Sequence, residues 1–137
     1  MTMSAALDDL NRALASPRPE EMLAAAWEAF DVGLGLADAA AWEDGLDELQ
    51  AVVAGQLCAE GRALLPLPVH GRPITPPAPS AASAQRCATL LDDTSAALTA
   101  LADGCPTAEL PLSGDVLRRA GELADQSARS LRALVSD

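Results

Sequence analysis

The sequence contains no lysine, and all nine of its basic residues are arginines. A Walker A loop needs a lysine to contact nucleotide phosphates, and a Schiff-base enzyme needs a lysine amine. The absence of lysine therefore excludes both classes of protein. The preference for arginine and alanine is typical of a bacterial genome that is rich in G and C.

Aromatic residues and isoleucine are also scarce. Tyrosine is absent, isoleucine occurs once, and the only aromatic residues among 137 are Trp27, Phe30 and Trp42. Strands favour β-branched and aromatic side chains, whereas alanine, which is abundant here, is the strongest helix former. The composition therefore favours helices over sheet.

The chain lacks long apolar runs, and we expect no export signal at its start. No apolar run reaches the roughly 18 residues that a membrane-spanning helix needs. Asp8 and Asp9 lie where a signal peptide would carry a basic region and an apolar core. The three cysteines form an odd set without Cys-x-x-Cys spacing: Cys58, Cys87 and Cys105. We therefore expect a cytoplasmic protein with reduced thiols and no membrane span.

Acidic residues outnumber basic ones, and the net charge is −11. Residues 1–64 carry −9 of this charge and residues 65–137 carry −2. Because binding to duplex nucleic acid requires neutralisation of phosphates, the charge excludes nucleic acid as an expected partner. An acidic surface suits a basic protein partner, or it serves only solubility.

Apolar residues recur at the spacing of a helix face in five segments. The predicted helices span about 4–15, 20–39, 42–64, 81–103 and 113–135. Ser113 is the predicted N-cap of the last helix, because its hydroxyl can accept a hydrogen bond from a free amide of the first turn. Residues 20–64 as one helix would be about 66 Å long, twice the length of each later helix. A phase change of the apolar pattern near Ala41 therefore predicts a break.

Proline dominates residues 65–79, with six of the fifteen positions. Proline lacks the amide that a helix interior requires, so the third helix must end near Leu64. In an extended conformation this linker reaches about 46 Å, enough to run the length of a bundle, so the direction of the next helix stays open. The pattern predicts one domain over residues 1–137, an all-α four-helix bundle. A short extra helix precedes the bundle, and a proline-rich loop lies between the third and fourth helices.

The core of the second and third helices is predicted from two apolar stripes. The first stripe contains Leu23, Trp27, Phe30 and Leu34, and the second contains Trp42, Leu46, Leu49, Val53 and Leu57. Both tryptophans lie on these stripes, so core packing is their expected role.

His70 is the only histidine, which limits the chemistry available. A di-metal bundle site needs paired Glu-x-x-His motifs, and a zinc site would need His70 together with three cysteines that are distant in sequence. We therefore predict no metal, no cofactor and no catalytic residue. His70 is expected to be a solvated loop residue. If the linker folds over the mouth of the bundle, His70 and Arg72 are a possible ligand loop for an anion.

The densest charge of the chain is an acidic cluster of four residues: Glu43, Asp44, Asp47 and Glu48. Like charges four residues apart repel each other along a helix, and a helix N-terminus offsets this repulsion through its dipole. The cluster therefore predicts a helix that begins just before Glu43. Its surface is either a docking site for an arginine- or lysine-rich partner or an ordinary solvated face.

Two functions remain open from the sequence. The first is a non-catalytic acidic interaction protein, which forms a homodimer or docks on a basic protein surface. The second is a small-molecule-binding bundle or small helical enzyme with a pocket between its helices. The residues near that pocket, which are alternatively interface anchors, would be Trp27, Phe30, Trp42 and Cys87.

Overall fold

A computed structural model describes residues 3–68, 74–104 and 112–135. Five helices form in these ranges: α1 (Met3–Leu14), α2 (Pro19–Ala40), α3 (Glu48–Leu64), α4 (Ala81–Gly104) and α5 (Gly114–Arg132). No strand occurs in the same ranges, and the helices pack against one another. The predicted all-α, bundle-like fold is therefore confirmed. Within the described residues, no helix is both long and apolar enough to cross a membrane.

The bundle is formed by α2, α3, α5 and α4, in that order around its axis. Ion pairs between α4 and α5 show that these helices are antiparallel, because Asp92 binds Arg132 at 2.6 Å and Asp103 binds Arg118 at 2.8 Å. The residues that follow α5 meet the start of α3, where the Asp47 amide donates a hydrogen bond to the Leu134 carbonyl at 3.0 Å. Neighbouring helices are therefore antiparallel, and α3 and α4 run in the same direction on opposite sides.

Because α3 and α4 run in the same direction, the chain must return to the other end of the bundle between Leu64 and Ala81. Ile74 packs against the core, and Pro76 crosses the outer face of α2. The Cγ atom of Pro76 lies 2.6 Å from the position that a Cβ on Gly35 would occupy. A side chain at Gly35 would therefore displace the linker. The helix direction that the sequence left open is therefore parallel for α3 and α4.

The short helix α1 packs in the groove between α2 and α4. Its inward face is a stripe of three buried leucines, Leu7, Leu10 and Leu14. At its rim, Arg86 of α4 donates to Asp8 at 2.9 Å and to Asn11 at 2.8 Å. An apolar stripe and a charged rim together hold this helix on the bundle.

The predicted core face of α3 is wrong. The buried residues of α3 are small: Ala51, Ala54, Gly55, Cys58 and Gly61. Leu49, which was expected in the core, is 70% exposed. Small side chains let α3 approach α2 so closely that the Phe30 ring occupies the space where Gly61 would carry a Cβ. Close approach of the two backbones, and not the largest side chains, therefore sets the rotation of this helix.

The predicted break between α2 and α3 is confirmed, but the predicted start of α3 is wrong. Residues 41–47 form a turn, and α3 begins at Glu48. Gly45 has a φ of 89°, a left-handed conformation that glycine adopts without steric cost. Trp42, Glu43 and Asp44 therefore precede the helix instead of starting it.

Candidate protein interface

Large apolar side chains are exposed at the end of the bundle where α2 turns into α3. Trp42 in the turn is 91% exposed, and Leu49 in the first turn of α3 is 70% exposed. Val52 on α3 and Val135 beyond the end of α5 are also exposed. A fifth exposed apolar residue, Leu67, follows the other end of α3. Four of these five side chains therefore lie at one end of the bundle.

Asp47 forms hydrogen bonds at this end of the bundle with both its side chain and its backbone. Its Oδ1 atom accepts a hydrogen bond from the Gln50 amide at 3.1 Å, so Asp47 is the N-cap of α3. Its own amide donates to the Leu134 carbonyl at 3.0 Å. This second bond brings the end of α5, and with it Val135, beside the turn. Asp47 thus caps the start of α3 and also holds the residues after α5 at this end of the bundle.

The exposure of Leu49 and Val52 follows from the packing of α3. Residues three or four apart lie on the same side of a helix. Because Ala51, Ala54 and Cys58 face the core, Leu49 and Val52 must face away from it. The small residues that allow close packing inside therefore turn the large apolar residues outward.

Four exposed acids lie at the same end of the bundle, near the end of α2, in the turn and at the start of α3: Asp38, Glu43, Asp44 and Glu48. The Asp38 carboxylate lies beside α3, with Oδ1 3.7 Å from the Cβ position at Gly55. No basic residue occurs in the sequence between Asp31 and Arg62. Within the described part of the chain, none of the four acids forms an ion pair. Negative charge is therefore concentrated around an exposed apolar surface.

We call this region the corner surface. It consists of Asp38, Trp42, Glu43, Asp44, Glu48, Leu49, Val52 and Val135. Of the four acids in the predicted interaction surface, three belong to it, and Asp47 supports it as the N-cap. Four members of the corner surface were not predicted from the sequence as residues of a site: Asp38, Leu49, Val52 and Val135. The spacing Asp47-x-x-Gln50, with an N-cap acid three residues before Gln, was a signal for the true start of α3.

The residues proposed for a pocket do not come together. Phe30 is fully buried against Gly61, whereas Trp42 is 91% exposed in the turn, so the expected core role of Trp42 is wrong. Trp27 is half-buried beneath the guanidinium of Arg62, whose carbon lies 5.6 Å from the ring centroid. Cys87 is buried on α4.

The Arg62 guanidinium is held between an aromatic ring and a carboxylate. Its Nη1 atom lies 2.6 Å from Oδ1 of Asp31, while its planar group covers Trp27. This arrangement combines a cation–π contact with a charged hydrogen bond. It joins α2 to α3 at the end of the bundle that lies opposite the corner surface.

The two buried thiols are not poised for nucleophilic chemistry. Burial raises the pKa of Cys58 to about 12, although a hydrogen bond with Ser127 partly offsets this effect. Burial likewise raises the pKa of Cys87 to about 11. Thiol reactivity requires the thiolate, which both environments disfavour. No group of three or more potential metal ligands occurs in residues 3–68, 74–104 and 112–135. His70, Arg72 and Cys105 lie outside the described residues.

Comparison with protein families, curated proteins and solved structures gives no match to this chain. The fold and the corner surface define it as an acidic helical bundle with one exposed end that is both apolar and negatively charged.

Asp47→Ala is expected to lower the free energy of unfolding by about 1 kcal/mol, because it removes the N-cap of α3. Urea denaturation of the purified variant measures this loss. Asp44→Ala, three residues earlier in the turn, is the matched control and should stay within about 0.5 kcal/mol of the wild type. Equal stability of the two variants would contradict the capping role. Variants that test docking should therefore leave Asp47 unchanged.

Proposed function

We propose that this chain is a non-catalytic docking protein that binds a basic protein partner through its corner surface. The observation that carries the proposal is the 91% exposure of Trp42 among acids that form no ion pair within the described ranges. Tryptophan is enriched among residues that dominate binding energy, and exposed apolar clusters with a polar rim are typical of interaction sites. A role in solubility explains the acids but not the apolar side chains.

The charges of the corner surface favour a basic partner over a second copy of this chain. Like charges placed opposite each other across an interface are unfavourable, whereas complementary charges accelerate and orient binding. In a self-interface that pairs corner with corner, Glu43, Asp44 and Glu48 would face the same acids. A partner that carries arginine or lysine around an apolar anchor can pair with the acids and also cover the apolar side chains.

The contact between Arg62, Trp27 and Asp31 illustrates how such a partner would bind. There a guanidinium covers the indole ring and donates to a carboxylate at 2.6 Å. The corner surface offers the same two groups, the ring of Trp42 and the neighbouring carboxylates of Glu43 and Asp44. A partner arginine can therefore make the same pair of interactions at the corner.

The packing of Phe30 gives no support to the alternative function, a ligand pocket between the helices. Its ring fills the space next to Gly61, and no side chain could be added there without a clash. The proposed binding site is therefore on the outer surface of the bundle.

Binding of two designed peptides tests the proposal. Each is a helix of about five turns with a leucine stripe, flanked by arginines in one peptide and by glutamates in the other. We expect the arginine peptide to bind and the glutamate peptide not to bind, as measured by fluorescence anisotropy. Trp42→Ala should weaken binding about tenfold, or about 1.4 kcal/mol. Glu43→Arg/Asp44→Arg should weaken it further, because it reverses the charge at the anchor.

Matched controls lie at the opposite end of the bundle. Glu20→Arg/Glu21→Arg makes the same change in net charge at the start of α2, and Leu67→Ala removes an apolar side chain that is 74% exposed. Both controls should bind the arginine peptide within about threefold of the wild type. The proposal fails if a control loses as much affinity as the corner variants. It also fails if sedimentation shows a dimer of the wild type that Trp42→Ala dissociates.

A further inference from the structure

The apolar part of the corner surface extends along α3. Leu49 and Val52 are exposed, and Val53 beside them is half-buried. These positions have the spacing i, i+3 and i+4, which forms a ridge on one side of a helix. Ridges of this kind pack into the grooves of a second helix, and an amphipathic helix binds through the same spacing of apolar residues. The shape of the surface therefore matches a helical partner segment.

The charge of this surface changes along α3. Glu43, Asp44 and Glu48 lie at or before the first turn, so the negative charge is greatest there. Towards the other end of α3, the outward acid Glu60 lies 4.0 Å from Arg119, which reduces its effect. A helix that lies along α3 therefore meets strong negative charge at one of its own ends and weak charge at the other.

The fold already contains a helix that binds in this way. Helix α1 presents its leucine stripe to the groove between α2 and α4. It is antiparallel to α2 and parallel to α4, and it pairs Asp8 with Arg86 of α4 at its rim. Each pair of neighbouring helices in the bundle ring is also antiparallel. An added helix that packs antiparallel to α3 would continue the same arrangement.

On the basis of the proposed function, we infer that the partner segment is an amphipathic helix that packs antiparallel to α3 and carries its arginine or lysine residues in its last two turns. The antiparallel direction brings the C-terminal end of the partner helix to the acids of the corner. Basic residues near a helix C-terminus are also favoured by the dipole of that helix. Basic residues in the last two turns of the partner helix thus stabilise that helix and also pair with the acids of the corner surface.

Two peptides of identical composition test the direction. Both carry the same leucine stripe and are stapled to equal helicity, which circular dichroism confirms. One has its arginines in the last two turns and the other in the first two. We expect the first peptide to bind about tenfold more tightly. A nitroxide at its N-terminus should broaden the NMR signal of Ala63, near the end of α3, and a nitroxide at its C-terminus should broaden the Trp42 indole signal.

The charge-reversal variant Glu43→Arg/Asp44→Arg tests whether the acids of the corner surface cause the preference for the first peptide. It should reduce the difference between the two peptides to within about threefold, because it removes the charge gradient. Equal affinities for the wild type, or broadening that shows a parallel helix, overturn the inference and leave the docking function intact. If neither peptide perturbs Trp42, the inference and the docking function both fail.

Discussion

Gly61→Ala and Gly55→Ala are expected to change the stability of the protein in opposite directions, although both replace a helical glycine in α3. Alanine is a better helix former than glycine by about 0.8–1.0 kcal/mol. This gain is common to the two variants, so any difference between them reports their surroundings. We expect Gly55→Ala to stabilise the protein and Gly61→Ala to destabilise it by about 1–2 kcal/mol.

The surroundings of the two glycines explain the difference. At Gly55, an added Cβ would lie 3.6 Å from the Cβ of Ala37 and from Cδ1 of Leu34, which is ordinary van der Waals contact. At Gly61, three atoms of the Phe30 ring lie within 3 Å of the added atom. Phe30 is fully buried, so its rigid ring has no free space to move into. Overpacking of this kind costs about 1–3 kcal/mol, more than the gain in helix propensity.

Chemical denaturation of both variants measures these effects, and a double variant tests their cause. Phe30→Leu removes the ring and should itself be destabilising, but it should make Gly61→Ala less harmful. We expect a coupling free energy of about 1 kcal/mol or more between the two substitutions. Additive effects, or equal stability of Gly55→Ala and Gly61→Ala, would show that the close approach of α2 and α3 is not as described.

The free energy of unfolding is expected to fall by about 3 kcal/mol as the pH rises to about 10, because of two buried thiols. Burial raises the pKa of Cys58 from 9.0 to about 12 and that of Cys87 from 9.0 to about 11. Above the pKa of the unfolded chain, the unfolded state loses these protons while the native state keeps them. Unfolding is then favoured by about 1.4 kcal/mol per pH unit for each thiol. Below that pKa the contribution is constant.

The composition makes this alkaline transition easy to assign. Lysine and tyrosine, which normally titrate in the same range, are both absent from the sequence. Urea denaturation between about pH 7.5 and pH 10.5 should therefore show a slope that depends on the two thiols. Cys58→Ala/Cys87→Ala will be less stable at every pH but should lose most of the slope, and each single variant should lose about half. A slope that persists in the double variant contradicts the assignment.

The corner surface contributes little to the stability that these two experiments measure. Trp42 is 91% exposed, and Glu43, Asp44 and Glu48 are exposed as well. Substitutions at exposed positions away from special features usually change stability by less than about 0.5 kcal/mol. Docking can therefore be separated experimentally from folding. Asp47 is the exception, because it caps α3 and donates a hydrogen bond to the end of α5.

Several features of the fold were predictable from local sequence. The Ser113 hydroxyl accepts a hydrogen bond from the Val116 amide at 3.3 Å, as expected of an N-cap. Helix α3 ends at Leu64, as the prolines after it require. In each case a single residue type acts on its near neighbours, so the physical cause is local.

The rotation of α3 was not predictable in the same way. Periodicity gives the greatest weight to large apolar residues, so Leu49 was expected to face the core. Helices can also pack through glycine and alanine, and the closer approach then buries other surfaces such as the Phe30 ring. Which face of α3 is buried depends on the helices that pack against it, and no local pattern contains that information.

The sequence alone determined that this protein is helical, where its prolines stop a helix, and that its acids are concentrated in the first half of the chain. The tertiary structure decided which way α3 and α4 run, which side of α3 is exposed, and that the residues after α5 lie against the start of α3. The division has one physical reason. Helix propensity, capping and net charge act over a few residues, whereas exposure and proximity result from the packing of segments that are distant in the chain.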